Sequence, residues 1–329
     1  MQPWLGAVTT ERHIWLWRRH SMKLIVRQLS GLGNQLFQYA AGRYYARQLE
    51  QAQVCLAFDP PRKALSHGHP RPFLLSHFAI DAQSRELNSS ERLLLFINGH
   101  VTNSRRLKPV RPIVGAALQR GLRLQLVTET RDQFYRFQRE LPFDARASTI
   151  YLSGYWQVHQ IPESMSADLR REFAFREAPT GENLDMHRRI RNTANSVAVH
   201  IRRGDYTLNV EGNVALPMTY YSSAISQLTQ NLHTPTFFIF SDDINFARQN
   251  VQTDIPAVFV DHNDSSSAHE DLRLMSSCRH HIIANSTFSW WGAWLRPYSD
   301  GIVIAPRNWM VGQRQGYDDL FPSSWRLLG

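Results

Sequence analysis

The sequence predicts an α/β protein built from two doubly wound lobes. Its 329 residues suffice for about two domains of about 150 residues each. Short apolar stretches typical of strands alternate with amphipathic stretches typical of helices near the N-terminus, and the alternation restarts after residue 195. Several of these strands end in glycines or small polar residues, as strands of open α/β sheets do where they meet a ligand.

The first lobe begins with a strand, a glycine turn, a helix and a second strand. "LIVRQL" and "QVCLAF" are the predicted strands, and "NQLFQYAAGRYYARQLEQA" between them has apolar residues at helical spacing. A connection of this kind predicts a parallel sheet.

The middle of the chain, from about 60 to 145, is less regular. We predict a loop at "DPPRKALSHGHPRP" and a helix at "DQFYRFQREL". A strand at "STIYLSGYWQ" and a helix at "SADLRREFAF" follow. The polar stretch "REAPTGENLDMHRRIRNTANS" then separates the two lobes.

The second lobe is the more regular one, with five strands separated by helices within about 110 residues. In such a sheet the ligand lies beyond the carboxyl ends of the strands, which places the strand-end motifs on one rim. The predicted strands are "SVAVHI", "TPTFFIFSD", "AVFVD", "HHIIAN" and "GIVIAP".

Composition excludes a disordered or fibrous chain and leaves anionic ligands open. Hydrophobic residues make up 43% and charged residues 20%, and the net charge is +9. Only three of the 37 basic residues are lysines, and arginine is the better bidentate partner of phosphate and carboxylate. The favoured explanation of this excess of arginine over lysine is compositional bias of the genome. The arginines are scattered without a long basic run, so we expect no nucleic-acid partner.

The two cysteines and the N-terminal residues give little information about function. Cys55 and Cys278 are far apart, which argues against a disulfide framework or a zinc site. Residues 1–21 are too interrupted by charged residues for a signal peptide or membrane span, so we expect a cytoplasmic protein. We interpret 1–21 as an N-terminal extension, either a loose arm or a wrongly assigned start. Its tryptophans are also compatible with peripheral contact at the cytoplasmic membrane.

In the motif "VAVHIRRGDYT", an apolar strand is followed directly by two adjacent arginines. With a two-residue period, His200 and Arg202 share one face while Arg203 points to the other. Asp205 can cap the following turn or orient an arginine. Taken alone, the motif favours a strand-end salt bridge between Arg203 and Asp205, and an adhesion tripeptide "RGD" is a third reading.

The motif "SGLGNQLFQ" follows the first strand and resembles half of a dinucleotide-binding fingerprint. Gly31 and Gly33 match, but Leu36 stands where the third glycine belongs, which disfavours a dinucleotide oxidoreductase. Asn34 and Gln35 at the helix start can cap the helix or present amides to a cleft.

Two further motifs follow strands of the second lobe. "FFIFSDD" ends in Asp242 and Asp243, which can accept hydrogen bonds from ribose or guanine, one of them being the expected N-cap of the next helix. "ANSTFSWWGAWL" opens a helix with small polar residues, and a helix N-terminus binds phosphate through free N–H groups. Trp291 and Trp294 are expected in the core.

In this order, "LSGLGNQLFQYAAGR", "SGYWQ", "VHIRRGDY", "FSDD" and "ANSTFSWWGAWL" closely resemble the α-1,2-fucosyltransferase family (glycosyltransferase family 11) in its bacterial form. The resemblance runs from about Lys23 to the C-terminus. It implies a GT-B-like fold, with two Rossmann-like lobes and the active site in the cleft between them. It also implies inverting, metal-independent transfer of fucose from GDP-β-L-fucose to the 2-hydroxyl of a terminal galactose on an oligosaccharide or surface polysaccharide. GDP-fucose is then a donor substrate, and no cofactor is implied.

The resemblance also gives the motif residues roles. We assign 22–180 to an N-terminal lobe on the acceptor side, whose stretch from 60 to 145 shapes the acceptor pocket, and 181–329 to a C-terminal lobe that binds GDP-fucose. Arg202 is implied to bind the β-phosphate and stabilise departing GDP, and His200 to contact the nucleotide. For the general base we consider Asp205 and Glu211. The candidate catalytic residues are Arg202, His200 and Asp205, and the candidate donor-binding residues are Arg203, Asn34, Gln35, Gly33, Asp242, Asp243, Asn285, Ser286, Thr287, Phe288 and Ser289.

Overall fold

Two parallel β-sheets with helices packed against them make up the fold. The computed structural model describes residues 22–49, 52–59, 65–66, 69–70, 72–89, 91–92, 95, 123–208, 214–251, 255–310 and 316–329. The predicted extension 1–21 and the candidate base Glu211 lie outside the described residues. No helix among the residues in these ranges combines the length and apolar character needed to cross a membrane.

Within the described part of the chain, the first sheet has five strands in the order β5-β2-β1-β7-β6, and every neighbouring pair is parallel. The central strand β1 is apolar and largely buried because it has a parallel neighbour on each side. The elements of this part are β1 (Lys23–Gln28), α1 (Leu32–Gln48), β2 (Gln53–Phe58), the antiparallel pair β3 (Leu65–Ser66) and β4 (His69–Pro70), a 3₁₀ turn (Leu75–His77), β5 (Gln83–Glu86), β6 (Leu124–Thr128), a 3₁₀ turn (Arg131–Gln133) and β7 (Thr149–Ser153).

The predicted helix at "DQFYRFQREL" is wrong. Only the single 3₁₀ turn Arg131–Gln133 forms, closed by a capping box from Thr130 to Gln133. Tyr135 then adopts a left-handed backbone conformation with φ of 58°, which ends any helix. Its ring packs instead against Tyr317, with 5.2 Å between centroids. Tertiary packing of the aromatic side chains has therefore overridden the local helical pattern.

Three helices connect the two sheets. The middle of the polar stretch that separates the two lobes forms a helix that is amphipathic but mostly polar. That helix buries Ile190 against a later helix of the second lobe. The helices are α2 (Gln160–Ser164), α3 (Ser166–Glu172) and α4 (Gly181–Arg191).

The second sheet has six parallel strands in the order β10-β9-β8-β11-β12-β13. The five predicted strands are confirmed, and β13 is an additional three-residue edge strand too short to give a pattern. Every residue of β8 is buried. The elements are β8 (Ser196–Ile201), a 3₁₀ turn (Gly204–Leu208), α5 (Met218–Asn231), β9 (Thr236–Ser241), α6 (Ile244–Asn250), β10 (Ala257–Val260), α7 (Ala268–Ser277), β11 (His280–Ile282), α8 (Thr287–Leu295), β12 (Val303–Pro306) and β13 (Arg326–Leu328).

The two sheets are joined by an aromatic core between α1 and α8. Phe37 of α1 contacts Trp290 and Trp291 of α8, with ring centroids 4.7 and 4.9 Å apart. Trp291 and Trp294 are buried, which confirms that they belong to the core. Leu36, in the slot of the missing third glycine, is also fully buried. Helix α1 of the first lobe is therefore packed closely against α8 of the second lobe.

Candidate active site

A cavity of about 910 Å³ lies where the carboxyl ends of the two sheets meet. Its walls come from the segments after β1, β6 and β7 on one side, and after β8, β9, β10 and β11 on the other. This volume is within the range of about 300–1,000 Å³ that is usual for small-molecule sites. Ten of the predicted residues line it: Gly33, Asn34, His200, Arg202, Asp205, Asp242, Asn285, Ser286, Thr287 and Phe288.

Arg202 extends from the end of β8 and is held by two carboxylates. Its Nη2 is 2.7 Å from Oδ1 of Asp205, and its Nη1 is 3.0 Å from Oδ2 of Asp242. Burial alone would lower the pKa of Arg202, but the two carboxylates outweigh it and the pKa is raised. Each Nη atom carries a second hydrogen, so the fixed guanidinium retains donors for a ligand.

The salt bridge that the motif alone favours, between Arg203 and Asp205, is wrong because Asp205 pairs with Arg202. Arg203 points away from the cavity, as the two-residue period predicts. Its guanidinium carbon lies 3.5 Å from the ring centroid of Phe246, and its Nε lies 3.6 Å from Asp243. Asp243 is the N-cap of α6, accepting the N–H of Phe246, which confirms that one of the two aspartates caps this helix. Neither Arg203 nor Asp243 lines the cavity.

His200 lies beside Arg202 on the cavity wall and is 4% exposed. Burial and the neighbouring Arg202 charge lower its pKa to about 3. Its ring lies 5.6 Å from the ring of Phe288. The imidazole is therefore neutral at physiological pH, able to form hydrogen bonds but not to carry a positive charge.

The N-terminus of α8 faces the same space, and α1 lies directly against it. The N–H groups of Thr287, Phe288 and Ser289 precede the first helical hydrogen bond, from Trp290 N–H to the Ser286 carbonyl, and have no partner within the helix. A Cβ at Gly33 would overlap the backbone of Thr287 and Phe288. Gly33 is thus required for close contact between the two helix ends.

Two other predicted residues have structural partners and do not line the cavity. The amide of Gln35 donates to the carbonyls of Ser30 and Pro72 and accepts the N–H of Leu74, so it fastens two loops. The buried Ser289 hydroxyl donates to carbonyls of its own helix start. Of the neighbours that do reach the cavity, Asn34 accepts from the amide of Gln157 at 2.8 Å, and Asn285 donates to the Val214 and Trp309 carbonyls.

Sequence reasoning missed the cavity residues that follow β6 and β7 of the first sheet. Glu129, directly after β6, lines the cavity together with Phe134, Tyr135 and Tyr155. Burial raises the pKa of Glu129 to about 7, although its carboxylate accepts backbone N–H groups. Its place at the end of a strand gave no signal, because β6 lies in the less regular stretch from 60 to 145, where we predict no strand.

A second missed group lies beyond β10, at the far side of the second sheet. Asp271 of α7 lines the cavity, and the amide of Asn263 donates to its Oδ1 at 2.8 Å. Burial raises the pKa of Asp271 to about 6. Asp271 lies in the first turn of an amphipathic helix, where an acidic residue is common and gives no sign that the side chain reaches a cavity.

Comparison with known proteins identifies the family. The chain is 30% identical to the O-antigen biosynthesis glycosyltransferase WbnK of Escherichia coli over 90% of this chain and 97% of that protein. It is 31% identical to an alpha-1,2-colitosyltransferase of Escherichia coli over 92% of this chain and 98% of that protein. The solved structure of selenomethionine fucosyltransferase NodZ from Bradyrhizobium matches with a TM-score of 0.50 at 16% identity, over 84% of this chain and 93% of that one, and shares the fold.

A family model described as Glycosyl transferase family 11 matches residues 130–328, which contain both β8 with His200 and Arg202 and the α8 motif. These matches exclude the dinucleotide oxidoreductase considered from the glycine turn. The chain is a glycosyltransferase of GT-B-like fold and belongs to glycosyl transferase family 11.

Proposed function

We propose that this enzyme transfers L-fucose from GDP-β-L-fucose to the 2-hydroxyl of a terminal galactose, with inversion at the anomeric carbon. The observation that carries the proposal is the position of Arg202, which two carboxylates hold at the wall of the cavity close to a helix N-terminus. Membership in a family whose relatives are fucosyl- and colitosyltransferases supports the same reaction class.

The leaving group determines what the site must do. As the bond from the fucose carbon to the β-phosphate oxygen breaks, its electron pair remains on GDP, and negative charge grows there. Arg202 is fixed before the reaction, so it can stabilise this charge without reorganising. The N–H groups at the start of α8 add the positive end of the helix dipole. We propose that these groups together make a divalent metal unnecessary.

The nucleoside part of the donor fits the pocket beyond β10. Guanine presents two adjacent donors, N1–H and the N2 amino group, and a carboxylate accepts both at once. Asp271 is such a carboxylate, oriented by Asn263. We propose that it selects guanine over adenine, which presents an acceptor at N1.

Two candidate residues are better suited to binding than to proton transfer. With a pKa of about 3, His200 is too weak a base and is not protonated to act as an acid, so we assign it a hydrogen bond to the nucleotide. Asp205 is bound to Arg202 at 2.7 Å, and protonating it would break that ion pair. We therefore propose that Asp205 positions Arg202 and is not the base.

A colitosyl donor is the second candidate, because one relative is an alpha-1,2-colitosyltransferase with 31% identity over 92% of this chain. Colitose is fucose without its 3-hydroxyl. A site that hydrogen-bonds a substrate hydroxyl discriminates strongly against the analogue that lacks it. Comparing both donors in one assay therefore separates the two candidates.

The test is incubation of the protein with GDP-fucose and a panel of β-galactosides, with the new linkage located by NMR. We expect an α-1,2 linkage to galactose, and GDP and GDP-fucose should raise Tm while NAD should not. Product from a colitosyl donor alone, or stabilisation by NAD alone, would refute the proposal.

We also propose that the enzyme acts in the cytoplasm on a glycan acceptor, with residues 1–21 as a peripheral contact to the cytoplasmic membrane. Fractionation of the full chain beside a version that starts at Met22 tests this. Equal partitioning of both into the soluble fraction would contradict a membrane role for the extension.

A further inference from the structure

We propose that Glu129 is the general base that removes the proton from the acceptor hydroxyl. This inference rests on the proposed function and assigns the one role that the residues on the donor side do not fill. Glu129 belongs to the first sheet, on the wall of the cavity opposite the one that carries Arg202 and the start of α8.

The carboxylate of Glu129 is held in place by the turn that follows β7. Its Oε2 accepts the N–H groups of Tyr155 at 2.6 Å and Trp156 at 3.1 Å, and Oε1 lies 3.2 Å from Trp156 N. Gly154 makes this approach possible, since a Cβ there would lie 2.5 Å from the Cβ of Glu129. Trp156 has a φ of 45°, a conformation that costs a residue other than glycine about 1–3 kcal/mol.

Glu129 and Arg202 line the same cavity, one from the segment after β6 and the other from the segment after β8. Tyr135 and Tyr206 line it as well. Tyr135 interacts electrostatically with both Glu129 and Tyr206, and the ring of Tyr206 lies 5.4 Å from the guanidinium of Arg202. An acceptor hydroxyl at Glu129 and a donor phosphate at Arg202 would then meet within one cavity, as a displacement reaction requires.

The surroundings of Glu129 suit a sugar acceptor. Phe134, Tyr135 and Tyr155 line the cavity beside it, and the rings of Phe134 and Tyr155 meet edge to face at 6.0 Å. Aromatic rings present flat apolar surfaces against which the C–H faces of a galactose ring can pack. The acceptor would then lie on these rings with a hydroxyl directed at the carboxylate.

The protonation chemistry is consistent with this role. Burial raises the pKa of Glu129 to about 7, and the backbone N–H bonds offset only part of that effect. Tyr45 and Tyr135 interact electrostatically with Glu129, and burial raises the pKa of both tyrosines and keeps their hydroxyls protonated. A base with a pKa near the working pH is the most effective.

The proposed step balances without another reactant. The acceptor oxygen forms its bond to the anomeric carbon as the bond to the phosphate oxygen breaks. The hydroxyl proton passes to Glu129, and the electron pair of the broken bond leaves on GDP. The protonated carboxyl then returns its proton to solvent when the products leave.

The test compares Glu129→Gln and Glu129→Ala with the matched control Glu140→Gln, an exposed glutamate of the same segment. Glutamine retains an oxygen for the N–H groups of the Trp156 turn but cannot take a proton. We expect kcat to fall by about 10²–10⁴-fold in both Glu129 variants, and the control to match wild type. GDP affinity measured by calorimetry should change less than about threefold, since GDP binds the other wall. The acidic limb of the wild-type pH profile, near pH 7, should disappear in Glu129→Gln.

The alternative is that Glu129 only fastens the turn. In that case Glu129→Gln retains near wild-type kcat and the same pH profile while Glu129→Ala loses activity, and this result would overturn the inference. A wild-type enzyme that binds GDP-fucose but transfers nothing to any galactoside would instead overturn the proposed function. The two failures are therefore distinguishable.

Discussion

Replacing Arg202 by alanine tests the central claim about the leaving group, and the adjacent arginine is its control. Arg202 and Arg203 are neighbours in sequence and equal in charge, with 22% and 27% of their side chains exposed. Only Arg202 faces the cavity, because the strand sends alternate side chains to opposite faces. A comparison of Arg202→Ala with Arg203→Ala therefore separates position from net charge.

The magnitude follows from the contacts of each arginine. Loss of one preorganised donor to a developing anion costs about 10²–10³-fold in kcat, or about 2.7–4 kcal/mol. Removing Arg202 also takes away the guanidinium that pairs with Asp205 and Asp242. A fully buried pair broken in this way costs about 3–5 kcal/mol, but these carboxylates are 14% and 24% exposed, so we expect a loss of about 1–3 kcal/mol. For Arg203→Ala we expect at most about 1 kcal/mol and a small change in kcat.

The assay is initial-rate fucosyl transfer at saturating donor, beside a urea titration that confirms that each variant is folded. Activity of folded Arg202→Ala above about a tenth of wild type would refute its role at the leaving group. Equal losses in both variants would show that the site responds to overall charge. Adding Asp242→Asn to Arg202→Ala should recover stability without activity, because it removes a negative charge that has lost its cation but supplies no new cation.

Three further outcomes are expected. Gly33→Ala should lower stability by about 1–3 kcal/mol and weaken GDP binding, since its Cβ overlaps the start of α8; an unchanged Tm and Kd would show that the two helix ends can separate freely. EDTA should leave transfer unchanged, because Arg202 and the α8 N-terminus supply the positive charge; loss of activity restored by Mn²⁺ would contradict this. The stability of Glu129→Gln relative to wild type should increase as the pH is raised from 5 to 8. The folded pKa of about 7 lies above the ordinary value of 4.5, so folding favours the protonated form and wild type loses stability as pH rises. Urea midpoints of both proteins at the two pH values check this, and a constant difference would refute it.

The cavity wall that the second sheet forms could be predicted because its residues are local in sequence. A strand of period two fixes the relative directions of His200, Arg202 and Arg203 before any tertiary contact is known. The rule that parallel strands end at one edge then brings Asp242 and Thr287 to the same rim. Each of these steps needs only a short stretch of chain and the topology of an α/β sheet.

The cavity wall beside Glu129 could not be predicted because its residues are assembled by long-range packing. Glu129 depends on the turn at Gly154 to Trp156, and that turn is recognisable only once β6 and β7 are known to be neighbours. We predict Gln35 as a donor-binding residue because a polar residue at a helix start can present its amide to a cleft. Its amide instead forms hydrogen bonds with the backbone of two loops.

The contact between α1 and α8 connects these two halves of the site. Phe37 packs on Trp290 and Trp291, and Gly33 allows the helix ends to touch, so the first sheet has a fixed position relative to the second. A displacement reaction requires the base and the leaving group on opposite sides of one carbon atom. If Glu129 and Arg202 fill these roles, their separation is set by the packing of α1 against α8 and not by either lobe alone. Substitutions in this aromatic core should therefore lower kcat more than they weaken GDP binding, because GDP contacts one wall and the reaction needs both.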